Sequence, residues 1–311
     1  MGSGEQLSIP LSRTSRDNGF SATFTEVQHQ HTLGLTNAEQ LRLFHLAVRS
    51  NRFSHSELID FLRLNLGRYV FSRAEIAEYK VADETEMIVF DAAGRMNAQD
   101  SGQGLGELVL YILLEEILGA PKVMSKVELD QLAGRMRSRC DAIHLFTPEG
   151  GTPVSSLVFG TSSLNGDIQD AIDDAFEKII QIETNQAREC QLAEEQVFTT
   201  VLDEGAARKI KDLLIPEPGG AATYDSAYGI FLGYDIGLDP TKYNNGDYRQ
   251  QLGWKMANDI KHHATYIANK ITTLNLGTHA FYVYVLPFDD SDADSVSIMD
   301  AVLQRGGRNS A

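Results

Sequence analysis

The sequence predicts an α/β fold: a mixed sheet core flanked by helices, behind a mostly helical N-terminal lobe. Three observations predict it. Capping-box spacings, Ser or Thr followed three residues later by Glu, occur at Thr36–Glu39, Ser54–Glu57 and Ser72–Glu75. Residues 104–180 read as a helix, three strands and a second helix. Beyond them, two runs of aromatic and β-branched residues flank a long helical periodicity. The expected division is an N-terminal lobe over 1–100 and a core over 101–311.

Residues 1–35 are polar and suit an extended or edge-strand segment. From Thr36, TNAEQLRLFHLAV predicts a helix with Leu41, Phe44, His45 and Val48 on one face, His45 at the core edge. SHSELIDFLRLNLGRYVF predicts a second helix with Ser54 as its cap, and SRAEIAEYK a third from Ser72. The Gly- and Asn-rich end of MIVFDAAGRMNAQDSGQ suggests a turn leading into the core.

Helix 104–118 is apolar nearly all round, as a buried helix should be. Glu107 sits in its first turn, stacked with Tyr111 and Leu114. There it is either a carboxylate favoured by the helix dipole or one on a buried stripe that needs a cation or a donor. PKVMSKVEL alternates as a strand, with Met124, Lys126 and Glu128 on one face. Arg135, Arg137 and Arg139 follow in a locally basic loop. CDAIHLF is the next strand, where Asp141 shares a face with Ile143 and Leu145. Aspartate is depleted in strands, so Asp141 points to metal or active-site duty, or else to a capping contact at the strand start. His144 reads as structural. SSLVFG forms the third strand and leads through Thr161, Ser162 and Ser163 to Asp167, the expected cap of a helix. That helix buries Ile168, Ala171, Ile172, Ala175, Phe176 and Ile179 and turns Asp170, Asp173, Asp174 and Glu177 outward.

Arg188–Glu204 and Ala206–Leu214 are expected as further helices, and IPEPGG at 215–220 as a turn. SAYGIFLGYDI predicts a strand, Asp247–Leu274 a long helix, and HAFYVYVLPF a strand ended by Pro287. DDSDADSVSIMDAVLQR closes the chain as a helix whose acidic start suits its dipole.

Composition narrows the function. At 42% hydrophobic and 23% charged the chain reads as globular. No apolar run approaches the roughly 20 residues of a membrane span. The N-terminus lacks a signal-peptide pattern, so a cytoplasmic location is expected. Two cysteines, Cys140 and Cys190, make neither a disulfide framework nor a zinc site. His262 and His263 are adjacent, and neighbours on a helix diverge by about 100°, a poor pair of ligands. No Walker A, GxSxG or HExxH pattern is present. The net charge of −16 opposes nucleic acid at long range, so DNA binding would need a local basic patch or a partner that brings the DNA.

Glu107 and Asp141 are the candidate metal ligands. Hydrolysing a phosphodiester calls for a metal that polarises the phosphoryl oxygen and makes hydroxide near neutral pH. Hard Mg²⁺ prefers carboxylates and keeps several waters. A lysine then orients the water or stabilises developing charge.

The GELVLYILL helix, the SKVEL strand, CDAIHL, the GDIQDAIDDAF helix and the YVYVLPF strand together resemble the HamA family, the nuclease subunit of the Hachiman antiphage system. The resemblance covers most of residues 100–305 and rests on order and spacing. It implies a restriction-endonuclease-like PD-(D/E)xK fold, Mg²⁺-dependent DNA cleavage and a complex with a helicase partner, HamB. Glu107 then corresponds to the family's helix glutamate and Asp141 to its first strand acid. Thr161 and Ser163 fall where the acid and lysine of the ExK pair should stand. A lysine displaced to Lys126 or Lys178 would restore the set. Without one, a catalytically silent subunit that regulates the helicase is the alternative.

Overall fold

The computed structural model describes residues 11–96, 103–125, 129, 140–148, 155–200 and 225–304. In chain order these form α1 (Phe20–Thr23), β1 (Thr25–Val27), β2 (Glu39–His45), β3 (Val48–Arg49), β4 (Arg52–Phe53), α2 (Ser56–Val70), α3 (Arg73–Val81), α4 (Ile88–Arg95) and α5 (Gln103–Glu116). Then come β5 (Ala142–Phe146), β6 (Ser156–Asn165), α6 (Ile168–Thr200), β7 (Asp225–Asp235), α7 (Asn245–Thr273), β8 (Ala280–Phe288) and α8 (Ser291–Val302).

Six strands make one mixed sheet in the order β1-β2-β8-β7-β6-β5. The four inner strands run parallel, and β1 and β5 close the edges antiparallel. Parallel strands need crossover connections, which helices supply. Here α6 links β6 to β7 and α7 links β7 to β8. β7 and β8 read as near-continuous apolar runs and are buried along almost their whole length, as strands covered on both faces are. All of Phe281–Phe288 is buried, including Pro287, which does not end β8 but pairs with Tyr234.

α5 lies on one face of the sheet. It sits close because β6 has glycine beneath it: a Cβ at Gly160 would meet Leu110 at 2.9 Å and Ala142 at 2.8 Å. α6 and α7 lie on the opposite face, joined by Asp173, which accepts from Tyr266 and pairs with Lys270. α8 packs at the carboxyl ends of β6, β7 and β8, against α2 and α5.

Several expectations change. Residues 36–48 are not a helix but carry β2, beside β8 from Glu39↔Phe281 to Leu43↔Val285. Glu39 caps no helix. Its carboxylate accepts the N–H groups of Leu33 (2.9 Å), Gly34 (3.2 Å) and Leu35 (2.8 Å), closing the preceding loop. A fully apolar β8 needed a neighbour on this side, and that tertiary demand outweighs local helix propensity. Ser54 stands before α2, yet its hydroxyl donates to the Glu57 carboxylate (2.9 Å) and caps no backbone. Ser72 and Glu75 do form a complete capping box. The start of MIVFDAAGRMNAQDSGQ forms α4, whose Ile88 and Ala92 are buried, while residues 97–102, in the Gly- and Asn-rich end where a turn was expected, lie outside the described residues; a Cβ at Gly67 of α2 would meet Ile88 at 2.8 Å.

Residues 121–125 form a single bridge, Lys122↔His144, where a strand was expected. The remainder of that stretch apart from Leu129, with Lys126, Glu128, Arg135, Arg137 and Arg139, lies outside the described residues, as do residues 201–224. β6 continues five residues past Gly160, and α6 runs unbroken through Arg188.

Candidate active site

The site forms where β5 begins and β6 continues. The β5–β6 ladder pairs Ala142 with Gly160 and ends there. Asp141 is the residue before β5, and its backbone N–H still reaches Gly160 O at 2.9 Å. Its side chain then takes over from the missing strand. Oδ2 accepts from Ser162 N at 2.6 Å and from Ser162 Oγ at 2.9 Å. The capping contact is therefore made by a carboxylate that also lines the cleft.

Lys178 completes that arrangement. It stands on α6, and its ammonium lies 2.9 Å from Asp141 Oδ2 and 2.8 Å from the Ser162 carbonyl. Asp141 is 11% exposed and Lys178 38%. The ammonium is thus anchored at two points and still open to solvent. Charge-assisted bonds of this kind are about twice as strong as neutral ones.

Glu107 enters from α5 on the other side. Tyr69, in the last turn of α2, donates its phenol to Glu107 Oε2 at 2.7 Å. Glu107, Asp141, Ser162, Ser163, Asp174, Lys178 and Asp292 line one cleft of about 600 Å³, together with Leu164, Ser295 and Val296. The cleft lies at the carboxyl end of β6, beneath α8. Ligand sites in open α/β sheets commonly lie outside the carboxyl ends of the strands.

Alternation along β6 decides which hydroxyl faces what. Ser162 lies on the α5 side, where a Cβ at Gly106 would meet its Oγ at 3.0 Å. Thr161 and Ser163 project to the α6 side. Ser163 Oγ reaches Asp174 Oδ2 at 3.4 Å, a long contact, and lines the cleft. Thr161 is fully buried, does not line the cleft, and its Oγ1 has no hydrogen-bond partner among the described residues. Of the sequence candidates, Glu107, Asp141 and Ser163 share the cleft, Thr161 does not, and Lys126 lies outside the described residues. Ser162, Tyr69, Asp174 and Asp292 were not singled out for this site. Ser162 could have been found from its place two residues past Gly160, where β6 outruns β5. Tyr69 carries no local signal, because its contact with Glu107 spans 38 residues of chain.

The donor set is hard oxygen, four carboxylates and three serine hydroxyls, which suits Mg²⁺ better than a soft metal. Among the described residues no three His, Cys, Asp or Glu side chains gather closely enough to cage an ion. An ion bound there would be held by one or two carboxylates, with water completing its shell. Glu107 and Asp141, the ligands expected from the sequence, both line the cleft.

A comparison with curated proteins finds no match. The HamA family profile matches residues 22–302, nearly the whole chain. The match takes in every described element from β1 to α8, and with it each residue of the cleft. The chain belongs to the HamA family and is a subunit of a Hachiman antiphage defence system.

Proposed function

We propose that the chain is a Mg²⁺-dependent DNA nuclease subunit in which Lys178 supplies the ammonium that the third strand lacks. The observation that carries this reading is the placement of Lys178, 2.9 Å from Asp141 in the cleft that also holds Glu107. Ser163 offers a hydroxyl at the position of the family's lysine, and the lysine reaches in from α6 instead.

Mg²⁺, held by Glu107 and Asp141, would polarise the phosphoryl oxygen and lower the pKa of bound water. The chain's own groups do the rest. The Lys178 ammonium faces the scissile phosphate and stabilises the charge that develops as water adds to phosphorus and the bond to the leaving oxygen breaks. The Ser162 carbonyl holds that ammonium in place. The N–H and hydroxyl of Ser162 keep the Asp141 carboxylate aimed at the cleft.

DNA access falls to a partner. The charge of −16 and the four carboxylates of the cleft repel phosphate at long range. A helicase subunit that presents the strand would supply the affinity this chain lacks. A second reading, a catalytically silent subunit that restrains the helicase, draws on Asp141 Oδ2 already accepting three bonds.

The two readings separate in a cleavage assay of the complex with its helicase partner, comparing wild type with Lys178→Met. Loss of a charge-stabilising donor costs about 10²–10³-fold in rate, and a loss of that order is expected. Cleavage unchanged by Lys178→Met removes Lys178 from the mechanism. No cleavage by wild type under any Mg²⁺ or DNA condition supports the silent subunit.

A further inference from the structure

We infer that Tyr69 is a positioning residue for the metal site: its phenol fixes the orientation of Glu107 and so sets the affinity of the cleft for a divalent cation. The inference rests on reading Glu107 as a metal ligand.

Tyr69 is 3% exposed and packs its ring 5.6 Å from that of Tyr111. A phenylalanine would fill that space equally well. The hydroxyl adds what the ring alone would not, a donor to Glu107 Oε2 at 2.7 Å. A glutamate on a helix keeps three side-chain torsions. The bond from the buried Tyr69 phenol restricts that freedom.

The donor is itself held from two directions. Lys122 is buried, and its ammonium donates to the Arg68 and Phe71 carbonyls that flank Tyr69 at the end of α2. The Lys122 backbone N–H donates to Glu115 Oε1 at 2.9 Å, on the same helix as Glu107. The end of α2 is thereby tied to α5, and Tyr69 and Glu107 cannot drift apart independently. Donors that orient metal-binding carboxylates usually matter 10–100-fold for metal affinity or activity.

The test is Mn²⁺ binding to the isolated chain by titration calorimetry, with no nucleic acid and no turnover. Wild type, Tyr69→Phe, Glu107→Gln and Tyr111→Phe are compared. Tyr69→Phe keeps the ring, so the fold should persist, and thermal melting verifies this. The expected result is a Kd raised about 10-fold in Tyr69→Phe, binding lost or weakened further in Glu107→Gln, and wild-type binding in Tyr111→Phe, whose hydroxyl pairs with Thr14. In the cleavage assay Tyr69→Phe should then raise the half-saturating Mg²⁺ concentration and recover most of its rate at high Mg²⁺. Equal Mn²⁺ affinity in wild type and Tyr69→Phe, with Glu107→Gln impaired, overturns the role of Tyr69 and leaves the metal site standing. Mn²⁺ binding absent from wild type overturns both.

Discussion

Asp141 illustrates how one side chain can serve fold and site together. Its carboxylate ends the β5–β6 ladder by accepting the N–H of Ser162, and the same oxygen holds Lys178. Its unusual place among strand residues was legible in the sequence, because aspartate there needs a reason. The partner lysine was legible only as a candidate. Lys178 is 37 residues away on a helix, and no local spacing links it to Asp141. Thr161 shows the converse. Its position in the chain suggested a role, but strand alternation turns it from the cleft and buries its hydroxyl without a partner among the described residues. Replacing an unpaired buried hydroxyl with a methyl of the same shape is neutral or stabilising. Thr161→Val is therefore expected to match or exceed wild type by up to about 1 kcal/mol in urea unfolding, with cleavage unchanged. A loss of cleavage at wild-type stability would return Thr161 to the site.

At the scale of elements, the closeness of α5 to β6 sets the separation of Glu107 from Asp141. That closeness depends on Gly160, where an added Cβ would meet Leu110 of α5 at 2.9 Å and, on β5, the Ala142 Cβ at 2.8 Å and carbonyl oxygen at 3.3 Å. The Leu110 methyl can give way, but the two Ala142 atoms are not the end of a flexible side chain. Gly160→Ala should therefore cost about 1–3 kcal/mol of stability through overpacking. It should lower cleavage by a larger factor than the loss of folded protein explains. Calorimetric melting and single-turnover cleavage at a temperature where both proteins are folded test this. Long elements with one strong period, such as α7 and β8, were legible from the sequence. β2 was not. Thr36–Glu39 has the spacing of a helix cap, and Leu41, Phe44 and Val48 have a helical interval. The exposed edge of β8 decides the matter, and that edge is not written in residues 36–48.

Across the whole molecule, one buried polar cluster ties the N-terminal segment to the sheet. Glu115 accepts from the backbone N–H groups of Thr14, Ser15 and Lys122. Burial pushes its carboxyl up, but nearby His144, these N–H donors and Lys122 outweigh that and hold it below the usual range. His144 is fully buried, bonds through Nδ1 to Ala120 O at 2.7 Å, and is pushed down by burial to a pKa of about 4. Both shifts act with the same sign. Between the unfolded value near 6.5 and the folded value of about 4, the unfolded chain binds the His144 proton and the native chain does not. Stability is therefore full above pH 6.5 and falls as pH drops toward 4, by roughly 3 kcal/mol from this residue alone. The depressed carboxyl of Glu115 adds to that loss as it protonates. Urea unfolding between pH 4 and 7 should show this slope, and a His144→Gln variant should show a shallower one. A slope unaffected by the substitution would place the acid sensitivity elsewhere.

The charge of −16 also belongs to this scale, because on the proposed reading it leaves the holding of DNA to a partner. On the proposed reading, Glu107, Asp141 and Lys178 form a working metal-dependent nuclease site when that partner delivers the strand. The most direct measurement is Mg²⁺-dependent cleavage of duplex DNA by the chain with its helicase partner, comparing wild type with Asp141→Ala. Wild type is expected to cleave in a way that EDTA abolishes, and Asp141→Ala to lose about 10²-fold or more in rate. Equal cleavage by the two proteins would contradict that reading.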